Sequence, residues 1–217
     1  MNDPTIVVVR AGQERAAAEA IAAGHADYPA FRHVFPDPRR RARALRPFFE
    51  TTIRDAVPFG NVFAATAGSQ VAAVAVWLPP GAFPWTTWRK VRATPAFMRV
   101  LLADPRAFAT FVRYGANAER VHPVEPHWYL VVLSVRPEFK RRGLGSRVVE
   151  PALERADQAG LPCYLETSDP ANVPFYERFG FLVSDDSLAL VPEGPTHVAM
   201  RRPPSTAEHL GQQSSKS

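Results

Sequence analysis

The stretch "HWYLVVLSVRPEFKRRGLGSRVVEPALERA", His127 to Ala156, decides how this chain folds. Its first nine residues, His127 to Val135, are nearly all apolar, which predicts a central strand covered on both faces. From about Gly143 to Ala159 the pattern changes. Leu144, Val148, Ala152 and Ala156 recur at helical spacing, with Pro151 inside the run. Between strand and helix stand Lys140, Arg141 and Arg142, then Gly143 and Gly145. A helix start leaves its first N–H groups unpaired and carries about half a positive charge. Glycines let the backbone approach an anion closely. The junction therefore reads as a cradle suited to a pyrophosphate, or as a structural basic helix start. Both common nucleotide motifs fail here. A P-loop needs Gly-Lys-Ser/Thr, and a dinucleotide fingerprint needs a glycine where Val148 stands.

Outward from this unit, "TIVVVR" (Thr5 to Arg10) predicts a strand, and the Ala-rich run that follows predicts a helix stopped by Pro29. A second helix is predicted over Pro38 to Ala56, with Leu45, Phe48, Phe49 and Ile53 on one face. Asn61 to Leu78 reads as a hairpin turning at "AGSQ". Residues 79–126 read as a helical insert, with helical pieces near Phe97 to Leu102 and Arg106 to Arg120. "PCYLET" predicts a strand. "SDPANVPFYERFGF" predicts a loop and short helix, and two antiparallel strands joined through "VPEGP" follow. The expected organisation is one domain over 1–203 and a disordered tail over 204–217.

The chain has 217 residues, 46% of them hydrophobic, enough for a well-buried core. One cysteine, Cys163, permits no internal disulfide and suits a reducing compartment; its place at a strand start reads as buried filler. The opening residues do not read as a secretory signal, and no apolar run is long enough to span a membrane, so a cytoplasmic location is expected. The net charge of +5 permits an anionic partner. The basic run Arg39, Arg40, Arg41, Arg43 and Arg46 lacks interleaved stacking aromatics. It reads as a solvated helix face, and neither a nucleic-acid nor a membrane partner is expected. Monomer and homodimer fit the sequence equally.

The spacing of "LSVRPEFKRRGLGS" and "NVPFYERFGF" resembles the GNAT superfamily of acyl-CoA-dependent N-acyltransferases. The family's loop, Gln/Arg-x-x-Gly-x-Gly/Ala, stands here as Lys140 to Gly145, with Lys140 departing from the usual Gln or Arg. "ADYPAFRH", "VAVW", "LETS" and "VPEGP" extend the resemblance towards members that acetylate amino-nucleosides, whereas 79–126 shows little of it. The resemblance implies an α/β (α+β) fold: a mixed, mostly antiparallel sheet of about seven strands, splayed at the fourth and flanked by helices. It implies direct acetyl transfer from acetyl-CoA, a co-substrate, to the primary amine of a small molecule, with no metal. Alternatives are a non-catalytic acyl-CoA sensor, or an acetyltransferase for protein N-termini or polyamines.

Residue by residue, the resemblance places the pantetheine arm along Leu133, Ser134 and Val135, with the Val135 N–H as oxyanion donor. Lys140, Arg141, Arg142, Gly143, Leu144, Gly145 and Ser146 would hold the phosphates. Asn172 would bond a pantetheine amide, or cap a helix. Tyr176 would hydrogen-bond the departing sulfur, or be a core tyrosine. Glu166, a carboxylate among apolar strand residues, is costly unless used or paired. It is expected as general base or substrate anchor, or as the partner of an arginine. Tyr28, Phe31 and His33 fall where the family builds its acceptor pocket, with Trp85 and Trp88 at the pocket or over the sheet.

Overall fold

In the computed structural model, which describes residues 4–191 and 193–204, the apolar run forms strand β4 (Trp128–Val135). It lies at the centre of a seven-stranded sheet with β1 (Thr5–Val8), β2 (Val62–Ala67), β3 (Gln70–Leu78), β5 (Cys163–Thr167), β6 (Leu182–Leu188) and β7 (His197–Arg202), in the order β1-β2-β3-β4-β5-β7-β6. Neighbours are antiparallel except β4 and β5, so the sheet is the mixed, mostly antiparallel one expected. The parallel pair is brief. Trp128 lies opposite Cys163 and Tyr129 opposite Tyr164; beyond them the two strands part. The β3–β4 register also shifts between Val76 and Trp77, near where the parting begins. Such irregularities bend a strand away from its neighbour.

Strand alternation gives the sheet two buried faces. Tyr129, Tyr164 and Ala199 face α1 (Glu14–Gly24), α2 (Pro29–Val34), α3 (Pro38–Ala56), α4 (Thr87–Ala103) and α5 (Pro105–Val121). Leu130, Leu165 and Met200 face α6 (Leu144–Gln158) and α7 (Val173–Glu177). Helix α1 ends against β4 at Gly24. A Cβ there would lie 2.1 Å from Ser134 Oγ and 2.8 Å from the Val135 carbonyl oxygen, a backbone atom that cannot rotate away. Gly24→Ala is therefore expected to destabilise the fold by about 1–3 kcal/mol. A denaturant midpoint equal to that of the parent protein would contradict this close packing.

The local differences from the sequence reading have identifiable causes. Pro29 does not stop the first helix, which ends at Gly24; it occupies the first turn of α2, where its missing N–H costs nothing. The insert holds two 17-residue helices: α5 matches the expected piece to within a residue at each end, whereas α4 starts ten residues before the expected Phe97. Thr86 caps α4, the helix continues through Pro95, and Asp104 caps α5 through the Ala107 N–H. The basic run on α3 is not a simple solvated face. Arg41 is buried and donates to the carbonyls of Phe35 and Pro36 at 2.7 and 3.2 Å. Arg40 pairs with Asp104 at 3.6 Å, and Arg46 pairs with Glu19. Among the described residues no helix is long and apolar enough to cross a membrane. Residues 205–217, most of the expected tail, lie outside the described residues.

Candidate active site

Where β4 and β5 part, a cavity of about 590 Å³ opens through the sheet. The backbone of β4 presents one edge to it. Arg136 donates its N–H to the Ala72 carbonyl, and Ser134 is the register partner of Val74. Alternation along the strand then turns the N–H groups of Leu133 and Val135 away from β3, towards the gap that β5 has left. Leu133, Ser134 and Val135 all line the cavity.

One end of the cavity is the start of α6. Gly143 occupies the N-cap position with φ 73°, a left-handed conformation that favours glycine, and Arg141 beside it has φ 62°. A Cβ on Gly145 would lie 3.4 Å from Phe175 Cζ and 3.5 Å from Val135 Cγ2, both cavity residues. Lys140, Arg141, Gly143, Leu144, Gly145 and Ser146 line this end. Arg142 does not; its guanidinium lies 5.3 Å over the Phe139 ring. Bare glycines, formal positive charge, free helix N–H groups and an unpaired strand edge fit a phosphate-bearing arm that binds like an added strand.

Asn172 and Tyr176 line the opposite wall. Asn172 stands at the N-cap of α7 but makes no capping bond; its amide donates to Thr167 Oγ1 at 3.3 Å. Tyr176 is buried, and burial raises its pKa well above the ordinary phenol value, so it stays a donor.

The other end holds Glu166 on β5. Its Oε2 accepts the Tyr129 hydroxyl at 2.9 Å, and the Tyr164 hydroxyl approaches the same carboxyl. Among the described residues no arginine pairs with it; the nearest basic group is the His122 ring, 4.0 Å away. The ion-pair alternative for Glu166 is thereby replaced by a tyrosine and histidine surround. Burial pushes its pKa from 4.5 up to about 7, against the lowering effect of the tyrosine hydroxyls.

Tyr28 and Phe31 line this end, in an aromatic group with His25 and Tyr114. The Tyr28 hydroxyl accepts the Ser168 N–H at 2.7 Å and lies 3.2 Å from Thr167 Oγ1. Through Thr167 it is tied to Asn172 across the gap. His33 is not at the cavity; it is exposed and lies beside Gly194. Trp85 and Trp88 also lie outside it: Trp88 is 68% exposed, and Trp85 stacks on Arg89. Buried Cys163, pushed up to about 12, is no thiolate. No cluster of His, Cys, Asp or Glu among the described residues could hold a metal ion.

The sequence reading missed Tyr114, Tyr129, Tyr164, His25 and His122. Tyr164 carried a signal, since two positions from Glu166 on one strand is the same face. Tyr114 and His122 come from the end of the insert, where no motif pointed to them.

Among curated proteins, the chain is 37% identical over 92 residues to an uncharacterized N-acetyltransferase of Schizosaccharomyces pombe, covering 41% of this chain and 36% of that protein. It is 30% identical over 92 residues to mycothiol acetyltransferase of Streptomyces coelicolor, covering 39% and 30%. The chain thus spans only about a third of the length of these relatives. The fold resembles the crystal structure of a Corynebacterium glutamicum protein described as histone acetyltransferase HPA2 and related acetyltransferase. That match has a TM-score of 0.64, 24% identity, and coverage of 94% of this chain and 98% of that one. Residues 74–181, which include β4, the parted β4–β5 pair and the glycine-bearing start of α6, match the model of the Acetyltransferase (GNAT) family, and the chain belongs to that family.

Proposed function

We propose that this protein is an acetyl-CoA-dependent N-acetyltransferase that moves an acetyl group directly to the primary amine of a small molecule. One observation carries the proposal: a single cavity passes through the β4–β5 gap and joins the glycine-bearing start of α6 to the buried Glu166 carboxyl. Acetyl-CoA, held by the start of α6 and the edge of β4, supplies the thioester-activated acetyl group. The Val135 N–H offers a donor where negative charge develops on the carbonyl oxygen. Tyr176 offers a hydrogen bond to the sulfur as it leaves. Full proton transfer from a buried phenol to a thiolate runs uphill, since even their ordinary values, about 10 and about 8.5, are in that order. Glu166 accepts a proton from the amine, directly or through water.

The acceptor end favours an amine carried on a planar, apolar body. Tyr28, Phe31, Tyr114 and Tyr129 supply rings, and Glu166 is the one buried carboxyl among them. An α-amine, with an ordinary pKa near 7.8, needs only a weak base, whereas a lysine-like amine needs about 3.5 kcal/mol more deprotonation. The proposed acceptor is puromycin or a similar amino-nucleoside. This agrees with the sequence's resemblance to puromycin N-acetyltransferase on "ADYPAFRH", "LETS" and "NVPFYERFGF", and implies a part in antibiotic resistance in the cytoplasm. A polyamine would want several carboxylates at the acceptor end.

The test is thiol release from acetyl-CoA with puromycin beside polyamines, aminoglycosides and N-terminal peptides, each product weighed by mass spectrometry. Acetylated puromycin is the expected product. Turnover confined to another amine would discard the acceptor, and no turnover with any amine would discard the enzyme reading in favour of a sensor. Tyr176→Phe in the same assay is expected to lower kcat by about 10- to 100-fold, the value of one hydrogen bond to a charged group. An unchanged kcat would remove Tyr176 from the mechanism.

A further inference from the structure

Behind Glu166 lies a run of buried polar groups to which the transfer described above gives no role. It starts at the Glu125 carbonyl, which can only accept, so His127 Nδ1, 2.6 Å away, carries its proton. Burial lowers the His127 pKa, which keeps the ring neutral and its Nε2 bare. His122 Nε2 lies 2.9 Å from that bare nitrogen and must be the donor. Burial and the neighbouring His127 lower His122 to about 3, so its other nitrogen, Nδ1, is a lone pair. That lone pair faces Glu166 Oε1 at 4.0 Å. Both atoms are buried, and neither has a hydrogen-bond partner among the described residues. The second carboxyl oxygen, Oε2, already accepts the Tyr129 hydroxyl. The Phe83 ring closes over His122 and Tyr129, with centroids 4.5 and 5.1 Å away.

A buried lone pair and a buried carboxyl oxygen facing each other satisfy one another only when a proton stands between them. We infer that His122 is a positioning residue for Glu166: its Nδ1 lone pair receives the O–H that forms on Oε1 when the carboxyl takes the acceptor's proton. One N–H bond of the acceptor breaks, and its electron pair stays on nitrogen for attack. One O–H bond forms on Glu166, and no proton passes to the imidazole. His127 sets the tautomer that leaves Nδ1 bare. The 4.0 Å separation exceeds a hydrogen bond, and catalytic bonds of this kind commonly tighten only with the substrate in place. The pair opposes Tyr129, whose hydroxyl favours the carboxylate. Tyr114 and Tyr164 also face Glu166, and Glu125 and Arg201 act on His127 from outside.

This inference rests on the proposed transfer to an amine, so its test includes a readout that needs no turnover. Long-range ¹H–¹⁵N spectra of the histidines are expected to show His127 protonated on Nδ1 and His122 on Nε2. The His122 Nδ1 signal is expected to shift with pH at the midpoint of Glu166, and to stay constant from pH 5.5 to 9 in Glu166→Gln. In kinetics, His122→Phe is expected to weaken the base about tenfold, moving the acid limb of kcat/KM down by about one pH unit with KM for acetyl-CoA unchanged. A proton on His122 Nδ1, an Nδ1 signal that titrates equally in Glu166→Gln, or an acid limb that stays in place would overturn the inference. If the parent protein acetylates no amine, the enzyme reading fails while the spectra still decide the pairing. If His122→Phe fails to fold, the parent and Glu166→Gln spectra decide it.

Discussion

Glu166→Gln is expected to cut kcat by about a hundredfold, the lower end of what a positioned general base contributes, and at the same time to make the protein more stable above pH 7. Both effects have one cause. The Glu166 side chain is buried, and burial raises its pKa from 4.5 to about 7. A group raised in the folded state contributes its full stability below its unfolded value. It loses that contribution as pH rises through its folded value. Between pH 4.5 and about 7 the parent protein therefore loses about 3 kcal/mol that the uncharged glutamine does not lose. Urea titrations at pH 4.5 and pH 8.5 test this: the stability difference between variant and parent should grow by about that amount. The activity of the parent should rise over the same window, since only the carboxylate accepts a proton. A stability difference independent of pH would show that Glu166 is not held at a raised value, and would remove the physical basis for its role as base.

Gly145→Val is expected to weaken acetyl-CoA binding by about a hundredfold or more while leaving the fold intact. The position lies in the first turn of α6, within reach of the side chains of Phe175 and Val135. A bare Cβ fits there at ordinary van der Waals contacts of 3.4 and 3.5 Å. The two further methyls of valine have only the cavity or these two walls to enter. Either narrows the space between the strand edge and α7 through which the arm must pass. The helix itself tolerates the change, because glycine is the poorer helix former by a few tenths of a kcal/mol. Calorimetric titration with acetyl-CoA, beside a thermal melt of the free variant, separates the two effects. Undiminished binding in a folded variant would place the cofactor elsewhere.

Much of this was legible because strands and helices write their faces into the sequence. The β4 run, the glycines at the start of α6 and the short helix bearing Tyr176 are local patterns, and each fell where the sequence put it. Glu166 stood out because a carboxylate among apolar strand residues asks for a reason. What surrounds it did not stand out. Tyr164 shares a strand face with Glu166, but Tyr129 read as an ordinary apolar strand residue, and only the parallel register brings it to the carboxyl. Tyr114 and His122 belong to the end of the insert, on and just after a helix whose extent was legible but whose local pattern gave no link to the carboxyl. The basic run on α3 illustrates the reverse error. Charge alone suggested a solvated face, while Arg41 turns inward to cap the carbonyls that end α2.

The central claim is that the gap between β4 and β5 is where the acetyl donor meets the amine. A crystal structure with acetyl-CoA bound tests it most directly. The account predicts phosphates at the N–H groups of residues 143–146, the arm along the free edge of β4, and the thioester oxygen within hydrogen-bond reach of the Val135 N–H. Its sulfur should lie beside Tyr176, and Glu166 should face the acetyl carbon from the aromatic end. Acetyl-CoA seated on any other surface, with the start of α6 and the Val135 N–H untouched, would contradict it.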